Sequence, residues 1–173
     1  MWIYEKQLQY PVKIARPNPR LASLIITALG GPDGETGAAM RYLNQRFTMP
    51  DGRVIGILTD VGTEEMGHQE MVASIVYQLT RNLTPAEITA GGFDKYYVNH
   101  GAGIFPASAS GEPFSAMAIA SKEDALASIH EDLAADAAIT QTQPLSKNHR
   151  KPLKYKDFSH FRKTFKNCYP AII

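Results

Sequence analysis

Between Arg53 and Leu79 one line of residues constrains the fold more than anything else in the chain. Leu58, Val61, Glu65, His68, Val72, Ile75 and Leu79 follow one another in alternating steps of three and four. That alternation is the spacing of the buried seam of a helix in a bundle. A long helix with one apolar stripe must bury it against other elements, so the rest of the chain has to supply partner helices.

Those partners are legible. Asn18 followed by Pro19 is a helix start, a capping side chain and then proline at the first helical position. Leu21, Leu24, Ile25 and Ala28 then recur at helical spacing. Gly30-Gly31-Pro32-Asp33-Gly34 carries the chemistry of a turn, after which a helical pattern resumes from Glu35 to about Phe47. Met49-Pro50-Asp51-Gly52 is the next break. Thr84-Pro85-Ala86-Glu87 reads as a capping box opening a short helix. Residues 91–120, rich in Gly, Pro, Ser and aromatics, read as a long loop wrapping the bundle, with Tyr96, Tyr97, Phe105 and Phe114 exposed unless a partner covers them. Ser121, with Asp124 three residues on, is expected to cap another helix whose seam runs Leu126, Ile129, Leu133 and Asp136. A last helix over 153–167 would carry Phe158, Phe161 and Phe165 on one side. Residues 1–17, interrupted by Pro11 and Pro17, read as an extended arm. Together these predict an all-α four-helix bundle with an N-terminal arm and a long loop before the third bundle helix.

At 173 residues a single domain is expected. A lone cysteine, Cys168, offers no disulfide framework and fits a reducing compartment or a buried thiol. The start MWIYEKQLQY lacks a secretory pattern, and no window approaches the roughly eighteen apolar residues of a membrane span, so a cytoplasmic protein is expected. Charge is uneven. Residues 1–139 hold ten Lys/Arg against sixteen Asp/Glu, whereas residues 140–173 hold eight against only Asp157. A basic end can mark an anionic partner. The blander reading, a solvated charged segment, is preferred, and no nucleic-acid partner is expected.

The chemistry lies in the carboxylates that stand where leucines should. Glu65 and His68 are consecutive positions of an otherwise apolar seam, three residues apart and so on one helix face. Burying both is costly unless they are paired or bound to metal. On this motif alone, a core hydrogen bond between the two is the simpler reading. Other residues shift the balance. Glu35 and Glu65 are equidistant from the turn at Pro50, so an antiparallel pair brings them level. Tyr42, seven residues after Glu35, shares its face and is placed to hydrogen-bond a ligand. Asp136 and His160 are equidistant from the middle of the second connection. Glu35, then Glu65 with His68, then Asp136, then Asp157-Phe158-Ser159-His160, has the order of a carboxylate-bridged two-metal bundle. Carboxylates and imidazoles together suit manganese or iron. His100, His130 and His149 read as surface residues, and Glu64 as a solvated neighbour of the seam.

The sequence also resembles the manganese catalases, in particular the short spore-coat members of endospore-forming bacteria. MWIYEKQLQYPVKI, the Gly-Gly-Pro-Asp-Gly-Glu stretch ending at Glu35, Arg41-Tyr42-Leu43, QRFTMPDGRVIGILTDVGTEEMGHQEM and GFDKYYVNHGAGIFPASASGEPF carry the resemblance over about residues 1–136. It implies a ferritin-like bundle, two manganese ions, disproportionation of hydrogen peroxide, association with other spore-coat proteins and a homo-oligomer. It also implies that Glu35 and His68 bind one manganese, that Glu65 bridges the pair, and that Tyr42 supports the ligands. The Gly30–Gly34 stretch would then be a distortion within the first helix. Asp136 falls where the family has a Glu ligand for the second ion, and His160 would complete that ion's ligands with Asp157 moving protons. Residues 137–173 depart from the family pattern. They lack the longer segment and Phe-Gln-Arg-Phe-like run that follow in relatives, and His160 lies at the edge of its helix's apolar stripe. A structural coat protein with a degraded site, or a di-iron ferritin-like protein, are the competing readings.

Overall fold

The computed structural model describes residues 8, 11–98, 103–104, 106–119, 121–122 and 124–141. Their architecture is helical: α1 (Pro19–Gly30), α2 (Glu35–Gln45), α3 (Gly52–Thr80), α4 (Pro85–Ala90) and α5 (Ala125–Gln141), with one short antiparallel ribbon of β1 (Tyr97–Val98) and β2 (Gly103–Ile104) in the long loop.

Local signals set most helix ends. The Asn18 side chain accepts the Leu21 N–H, and Pro19 begins α1. Asp51 caps α3 by accepting the Arg53 N–H. The capping box at α4 is complete, Thr84 and Glu87 each satisfying the other's backbone N–H. At α5 the expected cap is corrected. Asp124, not Ser121, accepts the Ala127 N–H at 2.8 Å and the helix starts at Ala125. An aspartate carboxylate directly before the first helical residue outcompetes a serine three residues earlier.

Both α1 and α2 lie along α3. The Asn18 N–H donates to the Leu79 carbonyl at 2.7 Å. Towards the other end, Arg46 Nη1 donates to Thr59 Oγ1 at 3.3 Å. The two helices therefore run antiparallel to α3 in sequence order, with residues 31–34 between them. The glycine-rich stretch is a genuine interruption, since helical backbone stops at Gly30 and restarts at Glu35. It does not turn the chain back, because α2 continues along the same partner helix.

One hydrophobic cluster closes the α1 end. Ala22, Ile26 and Leu29 meet Val76 and Leu79 of α3, Ile88 of α4, and Phe93, Tyr96 and Ala107 of the long loop. Tyr96 is covered by the fold itself. It is 1% exposed, stacked at a tilt against Phe93, and its hydroxyl donates to the Ala109 carbonyl. The loop supplies core side chains as well as connection, which its composition did not announce. Phe114 is half-buried; Phe105 and the Tyr97 side chain lie outside what is described. The N-terminal arm is held by the Gln78 side chain, which accepts the Ile14 N–H and donates to the Val12 carbonyl.

The face of α5 is also corrected. Ser128, Ile129, Asp132 and Ala135 are its buried positions, while Leu126 is 49% exposed and Leu133 half-buried. The seam is turned by about one residue from the leucine line, because two polar side chains find partners inside. Ser128 Oγ accepts the Lys122 N–H, and Asp132 accepts Gln45 Nε2. The expected helix over 153–167 lies outside the described residues. Among those residues, no helix is long and apolar enough to cross a membrane.

Candidate metal centre

Three side chains converge where α2 begins beside the middle of α3. Glu35 is the first residue of α2, where the positive end of the helix dipole favours a carboxylate. Glu65 sits mid-helix on the α3 seam, and His68 follows one turn on. Glu35 is fully buried and Glu65 is 4% exposed. The candidate donor atoms of Glu35, Glu65 and His68 all lie within 4.8 Å of one another.

Within this group Glu65 Oε2 lies 2.7 Å from His68 Nδ1, so the core hydrogen bond expected of an isolated motif is present. That bond does not account for the cluster, because it leaves a second buried carboxylate, Glu35, beside the first. Two carboxylates this close, both shielded from water, repel each other unless a proton or a cation lies between them. The donor set therefore fits a divalent ion of the oxygen-tolerant kind. Glu64 is 46% exposed at the side-chain level and stands 4.0 Å from His68 Nε2, outside the group, as expected for a solvated neighbour. His130 is exposed, also as expected.

Tyr42 is 1% exposed on α2, two turns beyond Glu35. Asp136 belongs to the helical backbone of α5, and its side chain is not described. Asp157 and His160, with His100, His149 and Cys168, lie outside the described residues. Two buried polar residues escaped sequence reasoning. Asp132 is 5% exposed and accepts a hydrogen bond from the fully buried Gln45 at 2.9 Å. Arg41 is 4% exposed and donates from Nη2 to the Pro32 carbonyl and to Asp33 Oδ1. Neither breaks an apolar stripe, so periodicity held no signal for them.

Comparison with known proteins agrees with this geometry. The family described as manganese containing catalase matches residues 1–145. Protein CotJC of Bacillus subtilis is 52% identical over 136 residues, covering 79% of this chain and 71% of the relative. A probable manganese catalase of Clostridium acetobutylicum is 35% identical over 138 residues, covering 79% of this chain and 61% of its own length. Among solved structures, KatB, a manganese catalase from Anabaena PCC7120, aligns with a TM-score of 0.71 at 28% identity, over 82% of this chain and 64% of that one. The chain thus spans less than two thirds of both of these catalases. The shared architecture is the ferritin-like helical bundle.

Proposed function

This chain belongs to the manganese-containing catalase family, and from that premise we propose that it is a di-manganese catalase-like protein of the spore coat, disproportionating hydrogen peroxide to water and dioxygen. The observation that carries the reading is the buried group of Glu35, Glu65 and His68. Glu35 and His68 would hold one ion and Glu65 would be shared between two. Asp136 and His160 would complete the second position. Bound manganese supplies the change of oxidation state by which one peroxide loses electrons and another gains them.

The protein's own residues do the rest. The carboxylates of Glu35 and Glu65 are themselves shielded from bulk water, at 0% and 4% exposure. Tyr42 would hold a ligand by its hydroxyl, and Asp157 would carry a proton to or from the reacting oxygen. Association with further copies and with other coat proteins is part of the same proposal. Light scattering at micromolar concentration tests the first, and a monodisperse monomer from which no coat partner is recovered would count against both.

A structural reading competes, favoured by Asp136, which by the resemblance would stand where a glutamate ligand is expected. Aspartate is one methylene shorter, whereas metal sites accept deviations of only about 0.2 Å. Metal analysis and peroxide turnover on natively purified protein separate the cases. Manganese with turnover supports the enzyme, and manganese-poor, inactive but folded protein supports the structural reading. Iron in place of manganese supports a ferritin-like oxidase or store.

A further inference from the structure

We infer that Arg41 is a positioning residue for Glu35, acting by clamping the break between α1 and α2; the inference rests on the metal-binding reading of Glu35. Glu35 is the first residue of its helix, so its carboxylate depends on the four residues before it as well as on the packing of α2 along α3. Those residues, Gly31–Gly34, belong to neither helix, and a free hinge there would let the carboxylate wander from Glu65 and His68.

The structure shows what removes that freedom. Arg41, a turn and a half into α2, reaches back along its own helix. Its Nη2 donates to the Pro32 carbonyl at 3.4 Å and to Asp33 Oδ1 at 3.2 Å. Pro32 is also held close to α2 by the absence of a side chain at Gly37, where a Cβ would lie 2.6 Å from the Pro32 oxygen. Across the break, Thr36 Oγ1 donates to the Leu29 carbonyl at 2.7 Å. The Gly34 N–H closes on the Gly31 carbonyl, and the Ala38 N–H on the Gly34 carbonyl, both at 2.9 Å. The junction is thus a splice, and Arg41 is its one charged, long-reaching member.

The energetics point the same way. Arg41 is 4% exposed, and its Nε and Nη1 are buried with no hydrogen-bond partner among the described residues. Burying a guanidinium with most of its donors unmet is a poor route to stability, and an apolar residue of similar volume often does as well or better. A buried group left so incompletely satisfied needs a reason other than packing. Holding Pro32 and Asp33 is the work this side chain performs, and Glu35 is what that work places. Geometry around a ligand sets metal affinity as well as the ligand itself, and losing such support commonly costs 10–100-fold.

The test uses the full chain. Arg41→Lys keeps the charge but ends one atom short of Nη2, Arg41→Met loses the charge and the donors, and Asp33→Ala removes only the outer acceptor. Hydrogen exchange at Gly34 and Ala38 is measured in metal-free protein, and the Mn2+ dissociation constant by calorimetry. In both Arg41 variants, exchange at these two amides is expected to speed up by about tenfold or more, while Val76 and Leu79 on α3 keep wild-type protection. The Mn2+ dissociation constant is expected to rise by about tenfold or more, with a smaller change in the same direction for Asp33→Ala. Wild-type exchange and affinity in Arg41→Lys would overturn the proposal, since charge or bulk would then suffice without the Nη2 contacts to Pro32 and Asp33. Should Arg41→Met fail to fold, Arg41→Lys and Asp33→Ala decide. Should the wild-type chain bind no Mn2+, the metal-binding reading itself has failed, and this inference with it. The exchange data then report only whether the splice exists.

Discussion

Gln45 at the end of α2 donates its Nε2 to Asp132 on α5 at 2.9 Å, in a buried hydrogen bond between residues 87 positions apart in the chain. It joins the third bundle helix to the helix that carries Glu35. Replacing Asp132 with leucine leaves the Gln45 amide in the core without this acceptor. A loss of about 1–3 kcal/mol is expected from such an orphaned group, read as a lower midpoint in urea unfolding. A midpoint within error of wild type would mean that α5 is held by other contacts.

Glu65→Ala should remove most of the bound manganese, because it takes away the carboxylate shared by both proposed positions. Glu64→Ala is the control. Its side chain is half exposed and outside the donor group, so metal content should stay at the wild-type level. Equal stoichiometry in the two variants would remove Glu65 from the site.

The second metal position is expected to be weak. If Asp136 stands where the resemblance expects a glutamate ligand, its carboxylate is one methylene short, and we predict about one manganese per chain or fewer, and peroxide turnover well below that of a family member with the full ligand set. Elemental analysis after native purification reads the first quantity and oxygen release the second. Two tightly held ions, with a large loss of turnover in His160→Ala, would show that the tail completes the site after all.

Gly30→Ala should unseat the long loop. A Cβ at this position would lie 2.3 Å from the Ala107 nitrogen and from the Pro106 carbonyl carbon, both main-chain atoms that cannot rotate away. The expected cost is about 1–3 kcal/mol. It should be accompanied by stronger fluorescence quenching of loop tyrosines by acrylamide as Tyr96 loosens.

Asp51 provides a pH signature. Its carboxylate is held at about 2, down from 3.8, first by the Arg53 side chain and then by the Arg53 N–H it caps. A carboxyl whose folded value is lowered contributes stability that is present above its unfolded value and is lost as pH falls through its folded one. Asparagine also caps helices but cannot pair with Arg53. Wild type should therefore exceed Asp51→Asn by a small constant margin above about pH 4, and the margin should vanish towards pH 2. The pair is exposed, so the margin should also shrink in high salt.

The parts of this molecule written in the sequence are those that local spacing controls. The α3 seam, the cap at Asn18, the box at Thr84 and Glu87, and the level placement of Glu35 with Glu65 all follow from periodicity or from distance to a turn. What stayed hidden depends on partners far along the chain. Tyr96 reads as a loop aromatic until α1 and α3 close around it. Nothing in the spacing marks Asp132 until Gln45 meets it, and because it is buried, the leucine line Leu126–Leu133 misplaces the face of α5. Arg41 is legible only as part of the Arg41-Tyr42-Leu43 stretch, and the path of Pro32 and Asp33 past α2 is what gives it something to hold.

The three candidate donors all fall within residues 35–68, on two helices joined by one short turn. Contacts so near in sequence form early, because little loop entropy opposes them. During synthesis this pair leaves the ribosome ahead of α5 and everything after it. Under the proposed function, an ion would meet the α2–α3 pair before α5 is made. Pulse-labelled hydrogen exchange during refolding, with and without Mn2+, would show this as earlier protection of α2 and α3 than of α5. Under the same proposal, the candidate donors Glu35, Glu65 and His68 would come together without any residue beyond 68.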